Sequence, residues 1–191
     1  VNSLNKEIDM NYMNNDNVLH HLIELAKEYK LPMNVLVGVT MAESSFKADQ
    51  TRYEPAYRYL MDVKKDTPFR KLSDSEAHSK TPPKDFPGVE GVTTAEEEWV
   101  GQRTSTGPMQ IMGAVARELG YKGSFKDFDD YKSLPYGVKH FSNLYKRFFD
   151  KHGIEGVISS YNCGQPKPEA NPDYVKKVVH WAAHYDTWEG K

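Results

Sequence analysis

The segment MNVLVGVTMAES, residues 33–44, constrains the fold of this chain more than any other feature. Almost every position in it is apolar, so a helix formed by it has no polar face to turn toward water. Such a helix has to be covered on all sides by other parts of the chain. Leu31-Pro32 separates it from the preceding segment, because proline suits the first position of a helix. The sequence therefore predicts a central buried helix with an acid, Glu43, in its last turn.

Amphipathic segments before and after this helix can provide the cover. Residues 17–29 carry apolar side chains at intervals of three and four, which predicts a helix. The same spacing returns in four later segments, at residues 108–119, 135–152, 153–162 and 172–185. Gly120 and Gly153 are expected to end the first two of these, since glycine favours the position after a helix. We expect a mostly α fold of about six helices.

The composition changes between Lys47 and Arg103, where the chain becomes polar, charged and rich in proline. We expect residues 47–103 to form a long insertion of short irregular elements, with at most a small hairpin. Residues 1–15 are polar and rich in asparagine, and we expect them to form an arm. A chain of 191 residues has the length of one domain, so residues 1–191 are assigned to a single domain.

Charge, hydropathy and cysteine content exclude several classes of protein. The 25 basic and 27 acidic residues are interspersed, which argues against a nucleic-acid partner. No apolar run approaches the roughly 20 residues that cross a bilayer, so no integral membrane segment is expected. Cys163 is the single cysteine, and it is expected to be a partly buried structural thiol. His180 and His184 have half the spacing pattern of a zinc site but lack a third ligand, so we expect neither a metal nor a cofactor.

Glu43 is the first candidate for chemistry. Its neighbours in the helix are apolar, and burial raises the pKa of a carboxyl group because it penalises the charged form. A carboxyl group that stays protonated near neutral pH can serve as a general acid. The alternative is an ordinary exposed glutamate at a frayed helix end, and periodicity alone does not decide between the two.

Four short motifs follow one another along the chain: Glu43-Ser44-Ser45-Phe46, GPMQIM at 107–112, SYNCG at 160–164, and Tyr174. Together they resemble the lytic transglycosylase and goose-type lysozyme superfamily, whose pattern is E-S-x-F, G-L-M-Q-I, A-Y-N-x-G and a late tyrosine. The resemblance spans residues 19–185 with the insertion set aside. Here Pro108 replaces a hydrophobic residue, and the gap between the first two motifs is far longer than in the family. The inserted segment resembles that of bacteriophage and prophage cell-wall hydrolases.

The resemblance implies a lysozyme-like fold and cleavage of the β-1,4 bond between N-acetylmuramic acid and N-acetylglucosamine in peptidoglycan. Glu43 takes the role of general acid, and then of base toward the muramic 6-hydroxyl, which gives a 1,6-anhydro product. The positions that the resemblance assigns to substrate binding are Ser44, Met109, Gln110, Tyr161, Asn162 and Tyr174. For Ser44, buttressing the site is favoured over a nucleophilic role, because no His–Asp pair accompanies it.

Two other kinds of function remain open at this point. A hydrolytic muramidase needs a second carboxylate, and Glu54 is the preferred candidate because it lies in the aromatic run RYEPAYRYL. Pairing of Glu54 with Arg52 or Arg58 is the structural alternative for that residue. The insertion also offers Asp49, Asp62 and Asp66 and, before the second motif, Glu96, Glu97 and Glu98. The third possibility is a glycan-binding or structural virion component on the same fold.

The phage resemblance also implies a setting for the protein. It predicts synthesis in a host cytoplasm and action on the periplasmic cell wall, or association with the virion. The expected partner is the glycan strand of peptidoglycan, and the protein is expected to be a monomer.

Overall fold

Seven helices and two small antiparallel sheets make up residues 16–189, the part of the chain that the computed structural model describes. The helices are α1 Asp16–Tyr29, α2 Met33–Ser44, α3 Asp74–Ala77, α4 Ala95–Gln102, α5 Gly113–Glu118, α6 Asp130–Cys163 and α7 Pro172–Glu189. The strands are β1 Thr51–Tyr53, β2 Met61–Asp62, β3 Thr67–Pro68, β4 Thr104–Thr106 and β5 Ile111–Met112. The mostly α class is confirmed, and the predicted arm at residues 1–15 lies outside the described residues.

The helix α2 is the buried centre that its composition predicts. Leu36, Val37 and Val39 have no exposed surface, and α1, α6 and α7 surround them with apolar side chains. The helix α7 packs directly along α2 at Gly38, where a Cβ would lie 2.4 Å from the carbonyl oxygen of Val178. Glycine is therefore needed at this crossing, because any side chain would push the two helices apart.

The long helix α6 bends at Gly153, which has φ 65° and ψ −175°. The predicted boundary at this glycine is confirmed. The predicted start at Pro135 is wrong, because the helix begins at Asp130. The side chain of Asp129 caps it by accepting a 2.9 Å hydrogen bond from the backbone N–H of Lys132. Pro135 then sits inside the helix, where it gives up one backbone hydrogen bond.

The spacing of the apolar residues in the second motif predicted a helix throughout the segment. This prediction is wrong in part. Ile111 and Met112 form β5, and the helix α5 begins only at Gly113. The strand β5 pairs with β4, and β4 pairs with β1, which gives a three-stranded sheet in the order β1-β4-β5. Tertiary pairing has therefore overridden a local helical pattern. The predicted end of the helical segment at Gly120 is confirmed, since this glycine has φ 101° directly after the C-cap.

The insertion is more ordered than its composition predicts. The expected small hairpin is present as β2 and β3. The helices α3 and α4 were not predicted, although each begins with a capping box, Ser73 with Glu76 and Thr94 with Glu97. The insertion contributes Leu60, Leu72, Ala77, Phe86 and Trp99 to a second apolar cluster, which Ala114 of α5 completes.

A buried ion pair joins this cluster to the rest of the fold. Glu98 of α4 and Arg117 of α5 are almost completely buried and form a salt bridge. Glu98 also accepts hydrogen bonds from Thr93 and Gln102, so both of its oxygens have partners. No helix within residues 16–189 has the length and apolar character needed to span a membrane.

Candidate active site

A groove with a volume of about 530 Å³ opens beside the C-terminal end of α2. The residues lining this active-site groove come from α2, from the sheet, from the loop after β1 and from the end of α6. They are Glu43, Arg52, Glu54, Pro55, Ala56, Tyr57, Ser105, Gln110, Met112, Tyr161 and Asn162. Five of the eight predicted site residues are in this set: Glu43, Glu54, Gln110, Tyr161 and Asn162. The other three, Ser44, Met109 and Tyr174, do not line the groove.

Glu43 and Tyr174 meet directly, although 131 residues of chain separate them. The phenol of Tyr174 donates a 2.6 Å hydrogen bond to Oε1 of Glu43. Oε2 of Glu43 accepts no hydrogen bond from the described residues, and the side chain borders the groove. When the carboxyl group is protonated, its proton therefore belongs on Oε2, because Oε1 is already an acceptor.

Burial controls the acidity of Glu43. It raises the pKa of the carboxyl group above its ordinary value, because the apolar surroundings penalise the charged form. The hydrogen bond from Tyr174 acts in the opposite direction and lowers this pKa by a smaller amount. The positive charges of Arg52 and Lys177 lower it further, and the net pKa stays raised. Glu43 therefore keeps its proton to a higher pH than an exposed glutamate does.

Two further hydrogen bonds connect the motifs to one another. The hydroxyl of Ser44 donates to the carbonyl oxygen of Pro108 at 2.7 Å, which ties the first motif to the second. The phenol of Tyr161 donates to the carbonyl oxygen of Met109 at 2.8 Å, which ties the third motif to the second. Burial raises the pKa values of Tyr161 and Tyr174 well above normal, so both phenols keep the protons that they donate. The four motifs therefore form one connected unit around Glu43.

The side chains of Met109 and Gln110 are occupied within the protein. Met109 is 1% exposed and packs in the main core, so its side chain supports the groove from behind and does not line it. The amide nitrogen of Gln110 donates to the carbonyl oxygens of Gln50 and Gly107, each at 2.9 Å. Its amide oxygen accepts from the hydroxyl of Ser105 at 3.0 Å. Gln110 thus holds the turn between β4 and β5 in shape at the edge of the groove.

Asn162 and Cys163 end the third motif at the surface. Oδ1 of Asn162 accepts a 3.1 Å hydrogen bond from Asn171, and its amide NH₂ has no hydrogen-bond partner among the described residues. Asn162 can therefore donate to a ligand in the groove. Cys163 is exposed, so the prediction of a partly buried thiol is wrong. The helix ends at this position, which turns the thiol outward.

Glu54 borders the groove, and only Oε1 of its carboxylate has a partner among the described residues. It forms a salt bridge with Arg52, the structural alternative that the sequence left open for this residue. The side chains of Arg52 and Glu54 are 73% and 33% exposed, so water screens the pair. Arg52 itself was not predicted as a site residue, although it precedes Glu54 in the same aromatic run. A second missed residue is Lys177, whose ammonium donates to the carbonyl oxygen of Ala42 at 3.0 Å.

Strained backbone is concentrated around this site. Five described non-glycine residues have positive φ, and three of them belong to the first two motifs: Ser45, Phe46 and Gln110. Such conformations persist only where the surrounding structure holds them, and they cluster at functional sites. The strain supports a functional role for the turn after Glu43 and for the turn that precedes β5.

Histidine side chains occur beside the groove and in a pair on α7. His140 lies beside Tyr161, with ring centroids 5.5 Å apart, and burial lowers its pKa to about 4, so it is neutral at neutral pH. His180 and His184 contact each other on α7, with ring centroids 4.3 Å apart. Within residues 16–189, no group of three or more His, Cys, Asp or Glu side chains is arranged to hold a metal ion.

The comparison with known proteins gives one match. A family model described as Transglycosylase SLT domain matches residues 21–182. This span contains all four motifs and every residue that lines the active-site groove. No curated protein and no solved structure matches the chain.

Proposed function

Because the chain belongs to the transglycosylase SLT domain family, whose members are lytic transglycosylases acting on peptidoglycan, we propose that Glu43 is its catalytic acid and base. The bond that it cleaves is the β-1,4 link from N-acetylmuramic acid to N-acetylglucosamine. The observation that carries this proposal is the part-buried carboxyl group of Glu43, which borders a groove and has a raised pKa.

In the first step, Oε2 of Glu43 gives its proton to the glycosidic oxygen. The bond between this oxygen and C1 of the muramic acid breaks, and N-acetylglucosamine leaves with a free hydroxyl group. Positive charge develops at C1, where the N-acetyl group of the same sugar stabilises it. The phenol of Tyr174 stabilises the carboxylate that remains on Glu43, because it donates a hydrogen bond to Oε1.

In the second step, the 6-hydroxyl of the muramic acid attacks its own C1. Glu43 takes the proton of this hydroxyl and returns to its acid form. The product carries a 1,6-anhydro ring, and no water is consumed. Glu43 alternates between acid and base, so the sequence of steps needs no second carboxylate.

The family to which the chain belongs favours a transglycosylase over a hydrolytic muramidase. Arg52 contacts only Oε1 of Glu54, so Oε2 of that carboxylate has no hydrogen-bond partner among the described residues. A muramidase nevertheless remains the second candidate, because Glu54 and Glu43 border the same groove. A pure glycan-binding module has no use for a buried acid, so the raised pKa of Glu43 argues against it.

The test is mass spectrometry of the fragments released from purified peptidoglycan by the wild type and by Glu43→Gln. We expect 1,6-anhydro products, one water lighter than hydrolysis products, from the wild type and none from the variant. Glu155→Gln is the matched control, since Glu155 is exposed on α6 and does not border the groove. Reducing-end products from the wild type would instead establish a muramidase. Cleavage by Glu43→Gln would remove Glu43 from the mechanism.

A further inference from the structure

A second groove, of about 670 Å³, adjoins the active-site groove. We call it the insertion groove, because most of its lining comes from residues 57–72. Tyr57 lines both grooves. The chain also runs directly from Met112, in the wall of the first groove, to Ala114 and Val115, in the wall of the second. The two grooves therefore adjoin at Tyr57.

The insertion groove has an aromatic rim. Tyr59 is 82% exposed, the highest value among the large hydrophobic side chains that the structure describes as exposed. Its ring stands edge-to-face against Tyr57, with centroids 5.9 Å apart and planes at 76°. An aromatic ring held this way by one neighbour and otherwise open to water has a face free for a ligand. The C–H faces of sugar rings are suited to stack on it.

The wall of the insertion groove is held in place before any ligand binds. Arg70 forms ion pairs with both Glu76 and Asp85, each at 2.7 Å. Arg58 pairs with Asp74 at 2.7 Å, and the backbone N–H of Phe69 donates to the carbonyl oxygen of Leu60 at 2.7 Å. A preformed wall loses little conformational freedom on binding, which favours a binding role.

The insertion groove has no surplus of positive charge. Arg58 pairs with one carboxylate, and Arg70 pairs with two. Lys71 and Glu118 also line the groove, and their opposite charges balance each other. An anionic peptide or a nucleic acid would need a surplus of positive charge here. A polysaccharide binds to aromatic faces that have polar groups beside them, and the insertion groove has both.

We propose that the insertion groove binds sugar rings of the glycan strand beyond the disaccharide that is cleaved, with Tyr59 as a stacking platform. The proposal rests on the proposed function, since it takes the ligand of the insertion groove to be the same strand. It predicts that the enzyme distinguishes long strands from short ones through a residue outside the active-site groove.

The test compares cleavage of two peptide-free glycans, a tetrasaccharide and a strand of at least twelve sugars, each with its lactyl carboxylates capped as amides so that the strand is neutral. For Tyr59→Ala, we expect kcat/KM on the long strand to fall roughly tenfold, with the tetrasaccharide unaffected. Tyr59→Phe keeps the ring and should behave as the wild type. Tyr131→Ala is the matched control, because Tyr131 is 70% exposed but lies outside both grooves. Equal effects of Tyr59→Ala on both substrates, or none on either, would overturn the proposal.

Two further measurements separate the alternatives. If Tyr59→Ala lowers cleavage only of strands that still carry stem peptides, the insertion groove binds peptide and the sugar proposal is wrong. Calorimetric binding of the long strand to Glu43→Gln, with and without Tyr59→Ala, requires no turnover. A roughly tenfold weaker binding of the double variant supports the insertion groove even if the wild type cleaves nothing, an outcome that would overturn only the proposed function.

Discussion

Tyr174 of the last helix holds Oε1 of Glu43 through a hydrogen bond of 2.6 Å. The two residues have opposing effects on one proton. Burial of Glu43 favours its protonated form, whereas the phenol of Tyr174 favours the carboxylate. A catalytic group that donates a proton and later accepts one benefits from these opposing effects, because neither its protonated form nor its carboxylate form is strongly disfavoured.

Replacing Tyr174 should move the pH profile of the enzyme. A general acid is active while it is protonated, so activity falls as the pH rises through the pKa of Glu43. Tyr174→Phe removes a hydrogen bond that lowers this pKa, so we expect the alkaline limb of kcat/KM to shift to higher pH. At the optimum, the rate should fall about tenfold, because the carboxylate formed in the first step loses its donor. The measurement is kcat/KM for peptidoglycan fragments between acid and alkaline pH.

Tyr161→Phe is the matched control for that experiment, and it makes a separate prediction. The phenol of Tyr161 donates to the carbonyl oxygen of Met109, and not to Glu43. We therefore expect the free energy of unfolding to fall by about 1 kcal/mol, with little movement of the alkaline limb. Urea denaturation measures the first effect. A limb that shifts as far as in Tyr174→Phe would contradict the assignment of separate roles to the two tyrosines.

Glu54→Gln distinguishes the two candidate reactions. In a transglycosylase, Glu54 has no proton to transfer, so we expect anhydro products at a rate within about threefold of the wild type. In a muramidase that uses Glu54 as its base, the rate should fall by about a hundredfold or more. The product and its rate of formation are read by mass spectrometry. Glu90→Gln, in the insertion but outside both grooves, is a suitable control.

The sequence was informative where local patterns and structure agree. The buried helix α2 follows from its apolar composition, and the acid at its end follows with it. The contact between Glu43 and Tyr174 has no local signal, because it joins positions 131 residues apart. Only the resemblance of the four motifs to a known family placed these two residues in one site.

The errors arose where tertiary contacts override local patterns. Ile111 and Met112 have helical spacing with the residues after them, but they form β5 and pair with β4 in the sheet. The resemblance assigns Met109 to substrate binding, but its side chain packs in the core behind the groove. In the insertion, the many proline and charged residues led to a prediction of irregular structure. The capping boxes at Ser73 and Thr94 nevertheless mark the starts of α3 and α4.

The buried pair of Glu98 and Arg117 should be important for stability. Arg117→Met leaves the carboxylate of Glu98 buried without its cation, and we expect the free energy of unfolding to fall by about 3–5 kcal/mol. Lys122→Met is the control, because Lys122 pairs with Asp66 at the surface and both side chains are more than half exposed. Its effect should be below about 1 kcal/mol. Similar small effects of both substitutions in urea denaturation would contradict the burial of the Glu98–Arg117 pair.

The raised pKa of Glu43 also predicts how the stability of the protein depends on pH. At low pH, the carboxyl group is neutral in both the folded and the unfolded chain, so it does not favour unfolding. As the pH rises above the ordinary value of 4.5, the unfolded chain releases this proton first, while the folded chain retains it. The folded state therefore loses stability until the pH passes the raised pKa.

Glu43→Gln cannot ionise, so its stability relative to the wild type should rise across this interval and then level off. Urea denaturation of both proteins as a function of pH measures the difference, with Glu155→Gln as the exposed control. A difference that stays constant with pH would show that burial does not raise the pKa of Glu43.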